Sequence, residues 1–197
     1  MAQPAAPVTK ATTYSLWLVP AEPALARLQG LIDAHAAAHA LPRFAAHITL
    51  IGQTALPLPA LAAACTALQQ GAARALAVPM ADAVAGLDAE HWRFRCVYLL
   101  AAQPHPAALL ALHAAAEAAL GLPPQQQAPF MPHLSLAYSD CDAATRSAWA
   151  AQVRGAALAA LGPGHSIRCA ALQVWDTSSP DPAQWACVAD FPLPADP

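Results

Sequence analysis

Two short runs of this chain carry the same chemically capable side chains. Phe44-Ala45-Ala46-His47-Ile48-Thr49-Leu50 and Phe130-Met131-Pro132-His133-Leu134-Ser135-Leu136 share one pattern: Phe, two residues, His, apolar, hydroxyl, apolar. On a β-strand successive side chains point to opposite faces. His47 with Thr49, and His133 with Ser135, therefore face one way, and Ile48, Leu50, Leu134 and Leu136 the other. Two such strands lying side by side bring two imidazoles and two hydroxyls into one small space. That set can open a cyclic phosphodiester without a metal. One neutral imidazole takes a proton from water, and one protonated imidazole gives a proton to the departing ribose oxygen. Both states are accessible near an unperturbed pKa of about 6.5. Each such transfer contributes roughly 10²–10⁴-fold in rate. The hydroxyls of Thr49 and Ser135 are suited to donate to non-bridging phosphate oxygens, where charge grows in the transition state.

A single His-x-Thr on an apolar strand is ordinarily a satisfied core histidine. The recurrence changes the weighing, because the second copy repeats the upstream Phe and the apolar alternation near the middle of the other half of the chain.

The elements around the two motifs also repeat. Tyr14–Val19 reads as a strand ended by Pro20. A helix follows from Pro23 to about His39, with Leu25, Leu28, Leu31 and Ile32 at helical spacing. The first His strand runs to about Gly52, Leu58–Gln70 is a second helix, and Leu76–Ala85 a strand. In the second half, Trp92–Ala101 reads as a strand and Pro106–Leu120 as a helix closed by Gly121. Pro123-Pro124 and three glutamines make a loop into the second His strand, Met131–Tyr138. Asp142–Leu161 is helical, with Asp140 or Asp142 as its cap and Gly162-Pro163-Gly164 as its stop. Ser166–Trp175 and Trp185–Phe191 close the chain as a strand pair joined by the turn-rich Asp176–Pro182. Each half thus runs strand, helix, His strand, helix, strand. The expected fold is α+β: two pseudo-symmetric lobes, each an antiparallel sheet with helices on its outer face, and the site in the cleft between them. Residues 14–193 form that single bilobal domain, and 1–13 are a flexible N-terminal tail. His35 and His39 sit four apart on the first helix, a spacing that can hold a metal, but without an acidic or Cys partner they read as a solvated face.

Composition narrows the choice of partner. The 197-residue chain is 57% hydrophobic and only 11% charged, so it has ample material for a core. Net charge is −3 with 9 Lys+Arg and no basic cluster. A protein that tracks long nucleic acid shows a positive stripe, so a small nucleotide is expected and a stable nucleic-acid partner is not. No apolar run approaches the roughly 18–20 residues of a membrane helix, and no signal core precedes Tyr14. The expected setting is the cytoplasm. Five cysteines, Cys65, Cys96, Cys141, Cys169 and Cys187, are scattered without a Cys-x-x-Cys pair. They read as buried thiols in a reducing compartment, although one disulfide is compatible with the proposed chemistry.

The chain resembles the 2H phosphoesterase superfamily, defined by two His-x-Thr/Ser signatures, and within it the cyclic phosphodiesterases of plants and fungi. The likeness runs from Tyr14 to about Leu193. Besides the motifs it includes Tyr14-Ser15-Leu16-Trp17-Leu18-Val19-Pro20, Pro42-Arg43-Phe44, Phe94-Arg95-Cys96-Val97-Tyr98-Leu99-Leu100 and Phe130–Tyr138. The resemblance implies a two-lobed fold with a water-filled cleft, no metal and no other cofactor. It implies hydrolysis of ADP-ribose 1″,2″-cyclic phosphate to ADP-ribose 1″-phosphate, downstream of tRNA splicing, and of nucleoside 2′,3′-cyclic phosphates to 2′-phosphates. Carried over by position, His47 and His133 are the acid–base pair and Thr49 and Ser135 bind phosphate. Tyr138 adds a substrate contact and Phe94 an aromatic surface for base or ribose. The family usually has Pro before the first His, and Ala46 stands there, which leaves the entry to that strand less rigid. Tyr138 lies five residues after His133, on the opposite face of a strict strand, and reaches the site only if the strand ends or bulges first. Trp17, Trp175 and Trp185 read as packing. The expected actor is a monomer on a small cyclic nucleotide or ADP-ribose substrate. The competing readings are an RNA-end-processing enzyme (a 2′,5′-ligase or 3′-exonuclease) and a nucleotide-binding module without catalysis.

Overall fold

A computed structural model describes residues 12–71, 73–86, 94, 96–123, 130–162 and 164–195. Most of the expected tail, the first residues of the expected 92–101 strand and the glutamine loop lie outside the described residues. The elements run β1 (Tyr14–Pro20), α1 (Ala24–His39), β2 (Ile48–Thr54), α2 (Leu58–Gln70), β3 (Leu76–Ala85), β4 (Val97–Ala101), α3 (Ala107–Ala119), β5 (His133–Ala137), α4 (Ala143–Leu161), β6 (Ser166–Asp176) and β7 (Ala186–Pro192). Local chemistry sets several of these limits. Asp142 caps α4 by accepting from the Thr145 amide at 2.7 Å. Gly162, at φ 77° and ψ −166°, takes a positive-φ conformation that ends it.

The seven strands among the described residues join one antiparallel sheet in the order β1-β2-β5-β4-β3-β6-β7, and β6 also pairs with β1. The lobes are parts of that sheet: β2-β1-β6-β7 and β5-β4-β3. They meet where β3 pairs with β6, and again at a single residue pair between β2 and β5, Ile48 with Leu134. Each helical layer draws one helix from either half of the chain. α1 packs on α4 and β5, while α3 packs on α2 and β2. The sequence repeat therefore becomes an intertwined pseudo-two-fold, in which each half supplies a helix to the other half's motif strand.

The apolar alternation fills the interior. Leu16, Leu18, Ile48, Leu50, Leu99 and Leu134 are all buried, with Ile48 and Leu134 fully so. Among the described residues no helix is long and apolar enough to cross a membrane. His35 and His39 do not form the solvated face expected of them. They lie against each other and Trp149, with ring centroids 4.5–5.1 Å apart, because α4 covers that side of α1. Burial, and secondarily the His39 charge, lowers the pKa of His35.

The Ile48–Leu134 junction generates a stability prediction. Replacing the fully buried Leu134 with Ala should cost about 2–5 kcal/mol in urea unfolding. The same change at Leu110, 44% exposed on α3, should fall within about 0.5 kcal/mol.

Candidate active site

Antiparallel pairing of Ile48 with Leu134 fixes what lies beside it. His47 comes across from Ser135, and Thr49 across from His133. Both histidines and Thr49 line one cleft of about 310 Å³, with Ser15, Trp17, Gly52, Gln53, Phe94, Tyr138, Thr177 and Trp185. Among the described residues no three His, Cys, Asp or Glu side chains gather into a metal-ligand cluster.

The two imidazoles are held in the same way. His47 Nδ1 lies 2.6 Å from the carbonyl oxygen of Ala45, and His133 Nδ1 2.9 Å from that of Met131. A carbonyl only accepts, so each Nδ1 must carry the hydrogen and donate. Neither bond uses Nε2, which carries a lone pair in a neutral ring and a hydrogen in a charged one. Backbone two residues upstream thus sets the tautomer of the neutral ring at both positions.

Their surroundings differ. Trp17, across β1 from Thr49, stacks face to face on His47 with centroids 3.5 Å apart and an interplanar angle of 6°. His47 retains only 4% exposure. Burial lowers its pKa to about 3, against the opposing pull of the Ala45 carbonyl, and the charge of His133 adds to the lowering. The counterpart of Trp17 is Tyr98, across β4 from Ser135, which meets the partly exposed His133 ring edge-on at 5.1 Å. Related positions therefore hold one ring that is neutral near pH 7 and one more open to water.

Tyr138 reaches the cleft through a bulge. Val97 pairs with Ala137 and Tyr98 with Ser135, so Leu136 is an extra residue and the alternation flips after it. Tyr138 then lies just past β5 on the histidine side. It stacks on Phe44 at 3.9 Å, with its edge toward Phe94 at 5.5 Å. Burial raises its phenol pKa, partly offset by the Ser135 hydroxyl, so the phenol stays protonated. The same irregularity occurs in the first motif: Leu16 pairs with Ile51 and Trp17 with Thr49, which makes Leu50 the extra residue and turns Gly52 into the cleft.

Ser135 is placed differently from expectation. It is buried, does not line the cleft, and its hydroxyl donates to the Phe94 carbonyl at 3.1 Å. Rotation of that hydroxyl away from Phe94 is required before it can meet a phosphate. Phe94 does line the cleft. Trp17 and Trp185, expected to be packing, are cleft walls as well, whereas Trp175 stacks behind Trp17 at 4.4 Å. The alternation of β1, with Ser15 and Trp17 opposite the fully buried Leu16 and Leu18, contained the signal for Trp17. Trp185 carried none, because it sits between β7 and the short 3₁₀ turn Pro182–Gln184, where its Nε1–H donates to Ser179 O at 2.8 Å.

Nor is the entry to the first motif loose for want of Pro. The Gln29 side chain of α1 donates to Phe44 O and accepts from Ala46 N, both at 2.9 Å. A proline at position 46 would lack that N–H. His113 takes the corresponding place in the second half. It stacks on Phe130 at 4.0 Å and pairs with Glu117 one turn on, as Gln29 does with Asp33.

The profile of the 2′-5′ RNA ligase superfamily matches residues 11–180. No curated protein matches the chain in sequence. Among solved structures, E. coli LigT in apo form superposes with a TM-score of 0.59 at 17% identity, covering 94% of this chain and 99% of LigT. LigT complexed with 3′-AMP gives 0.60 at 16% identity, covering 93% and 99%. TT0787 of Thermus thermophilus gives 0.58 at 15%, also covering 93% and 99%.

The Gln29 clamp generates a test. Gln29→Ala removes three hydrogen bonds, to Phe44 O, Ala46 N and Asp33, worth about 0.5–1.5 kcal/mol each, and should lower stability by about 1.5–4.5 kcal/mol in urea while the far-ultraviolet circular dichroism keeps its shape.

Proposed function

Because the chain belongs to the 2′-5′ RNA ligase superfamily, the 2H phosphoesterases, we propose that it is a metal-independent cyclic phosphodiesterase acting on small nucleotides. The observation that carries this reading is the matched pair of Nδ1–H to carbonyl bonds, on two histidines that line one cleft. His47, neutral at pH 7 through burial, takes the proton of an attacking water. The water oxygen bonds to phosphorus, the bond to one ribose oxygen breaks, and His133 delivers its proton to that oxygen. The two rings end with their protonation exchanged, and bulk water restores them.

Thr49 donates to a non-bridging oxygen from the cleft face, and the protonated phenol of Tyr138 is a second donor. Ser135 becomes a third when it releases Phe94. Such pre-placed donors act most strongly on charge that develops in the transition state. Phe94 and Trp185 offer aromatic faces to the base or ribose. A volume of about 310 Å³ lies at the lower end of the roughly 300–1,000 Å³ of small-molecule sites. It suits a cyclic nucleotide phosphate better than a polynucleotide track, and the scarcity of Lys and Arg points the same way. LigT has been solved with 3′-AMP and with ATP, which supports a nucleotide as ligand. ADP-ribose 1″,2″-cyclic phosphate and nucleoside 2′,3′-cyclic phosphates are the substrates we assign. Residues 14–193 act as one catalytic domain, in a monomer.

His47→Ala and His133→Ala should each reduce kcat on a nucleoside 2′,3′-cyclic phosphate by about 10²–10⁴-fold, and chelator should leave the wild type unaffected. Wild-type turnover in either variant defeats the assignment. A strong preference for an oligonucleotide over the cyclic mononucleotide would instead favour an RNA-end-processing enzyme.

The pH profile tests the division of labour. A base whose pKa is depressed is lost only when pH falls through that low value. The acid limb of kcat/KM should therefore lie well below the ordinary imidazole value of about 6.5. A limb at or above 6.5 would transfer the base role to His133.

A further inference from the structure

We propose that Cys96 and Cys141 form a redox-active pair, a site of reversible disulfide formation with small disulfides of the glutathione class. Their sulfurs lie 3.7 Å apart, although 45 residues separate them along the chain. The other three thiols have no such neighbour among the described residues: Cys65 and Cys169 are buried, and Cys187 is exposed on β7. Formation of the bond requires the sulfurs to close to roughly 2.05 Å. Cys96 immediately precedes β4, and Cys141 lies between β5 and the Asp142 cap of α4, so the bond would join two element ends without entering a helix or strand.

Access within the pair is unequal, which assigns an order to the chemistry. Cys141 is partly exposed and Cys96 is buried. The Cys141 thiolate attacks the small disulfide, forms a mixed disulfide and expels one small thiol. Cys96 then loses its proton and attacks the Cys141 sulfur, expelling the second small thiol. Two protein thiols are oxidised and one small disulfide is reduced to two thiols. Arg146 anchors the Cys141 segment. Its Nη1–H donates to the Cys141 carbonyl at 2.8 Å and its Nε–H to Gly86 O at 3.1 Å, which holds the segment and places a cation beside the pair.

The bond also bears on the cleft. Cys96 lies two residues after Phe94 and Cys141 three after Tyr138, and those rings already touch. Oxidation ties together the segments behind this aromatic wall. That consequence, unlike the disulfide itself, rests on the function proposed above.

The full-length protein is incubated with excess oxidised glutathione at pH 8, alkylated under denaturing conditions and digested without reductant. The expected product is a Cys96–Cys141 cross-linked peptide that reductant dissolves, with Cys65 and Cys169 recovered as alkylated thiols. Cys96→Ser should trap glutathione on Cys141. Recovery of both Cys96 and Cys141 as free thiols, while exposed Cys187 has reacted, overturns the pair; so does Cys141 linked to Cys187 instead. For the cleft, KM of the oxidised protein for a nucleoside 2′,3′-cyclic phosphate should differ at least threefold from that of the reduced protein, and Cys96→Ser should abolish the difference. A complete disulfide with unchanged KM overturns the coupling. Failure of the reduced protein to turn over substrate would defeat the functional reading and leave the disulfide standing.

Discussion

The arrangement depends on one pairing between distant strands, Ile48 with Leu134. Both side chains are fully buried, and they point away from the cleft. Because side chains alternate, anchoring these two apolar residues in the core forces the residues on either side of each, His47 with Thr49 and His133 with Ser135, to the opposite face. A slip of one residue would exchange the two sets. Hydrophobic burial on one side of the sheet thereby fixes polar geometry on the other.

Around that junction the fold is pseudo-symmetric and the chemistry is not. Each imidazole is oriented by the carbonyl two residues upstream, and each motif strand bulges at the residue after its hydroxyl. The differences lie in what faces those shared features. Trp17 covers His47 where Tyr98 only touches the edge of His133. Past the bulge, the first motif presents Gly52, which has no side chain, and the second presents Tyr138. One ring is thus desolvated and kept neutral while the other stays accessible to water. In the proposed reaction, the roles of proton acceptor and proton donor rest on these unequal surroundings of equal residues.

The support of the two motifs is also unequal in kind. Gln29 holds the approach to His47 by hydrogen bonds to backbone, whereas His113 holds the approach to His133 by stacking on Phe130. A polar clamp suits a motif that has Ala46, whose N–H can donate to it, before the histidine. Pro132 in the second motif offers no such donor, and an aromatic contact takes its place. Each clamp comes from the helix that packs on the other motif's strand, which is why the intertwined packing matters to the site.

The sequence alone determined the elements and the two catalytic candidates. The repeated alternation placed His47, Thr49, His133 and Ser135 on one face, and the limits of α2 and β3 followed from local turn and helix signals. These are short-range properties of the chain. What required the tertiary structure was every feature set by residues far apart in sequence. The bulge at Leu136 that turns Tyr138 inward arises from register with β4. The Ser135 hydroxyl is drawn to Phe94 by a neighbour 41 residues away. Gln29, Trp185, the packing of His35 and His39 under Trp149, and the meeting of Cys96 with Cys141 are likewise non-local. Local pattern says which way a side chain points, but only the packed fold decides what it meets there, and hence its protonation and its partners.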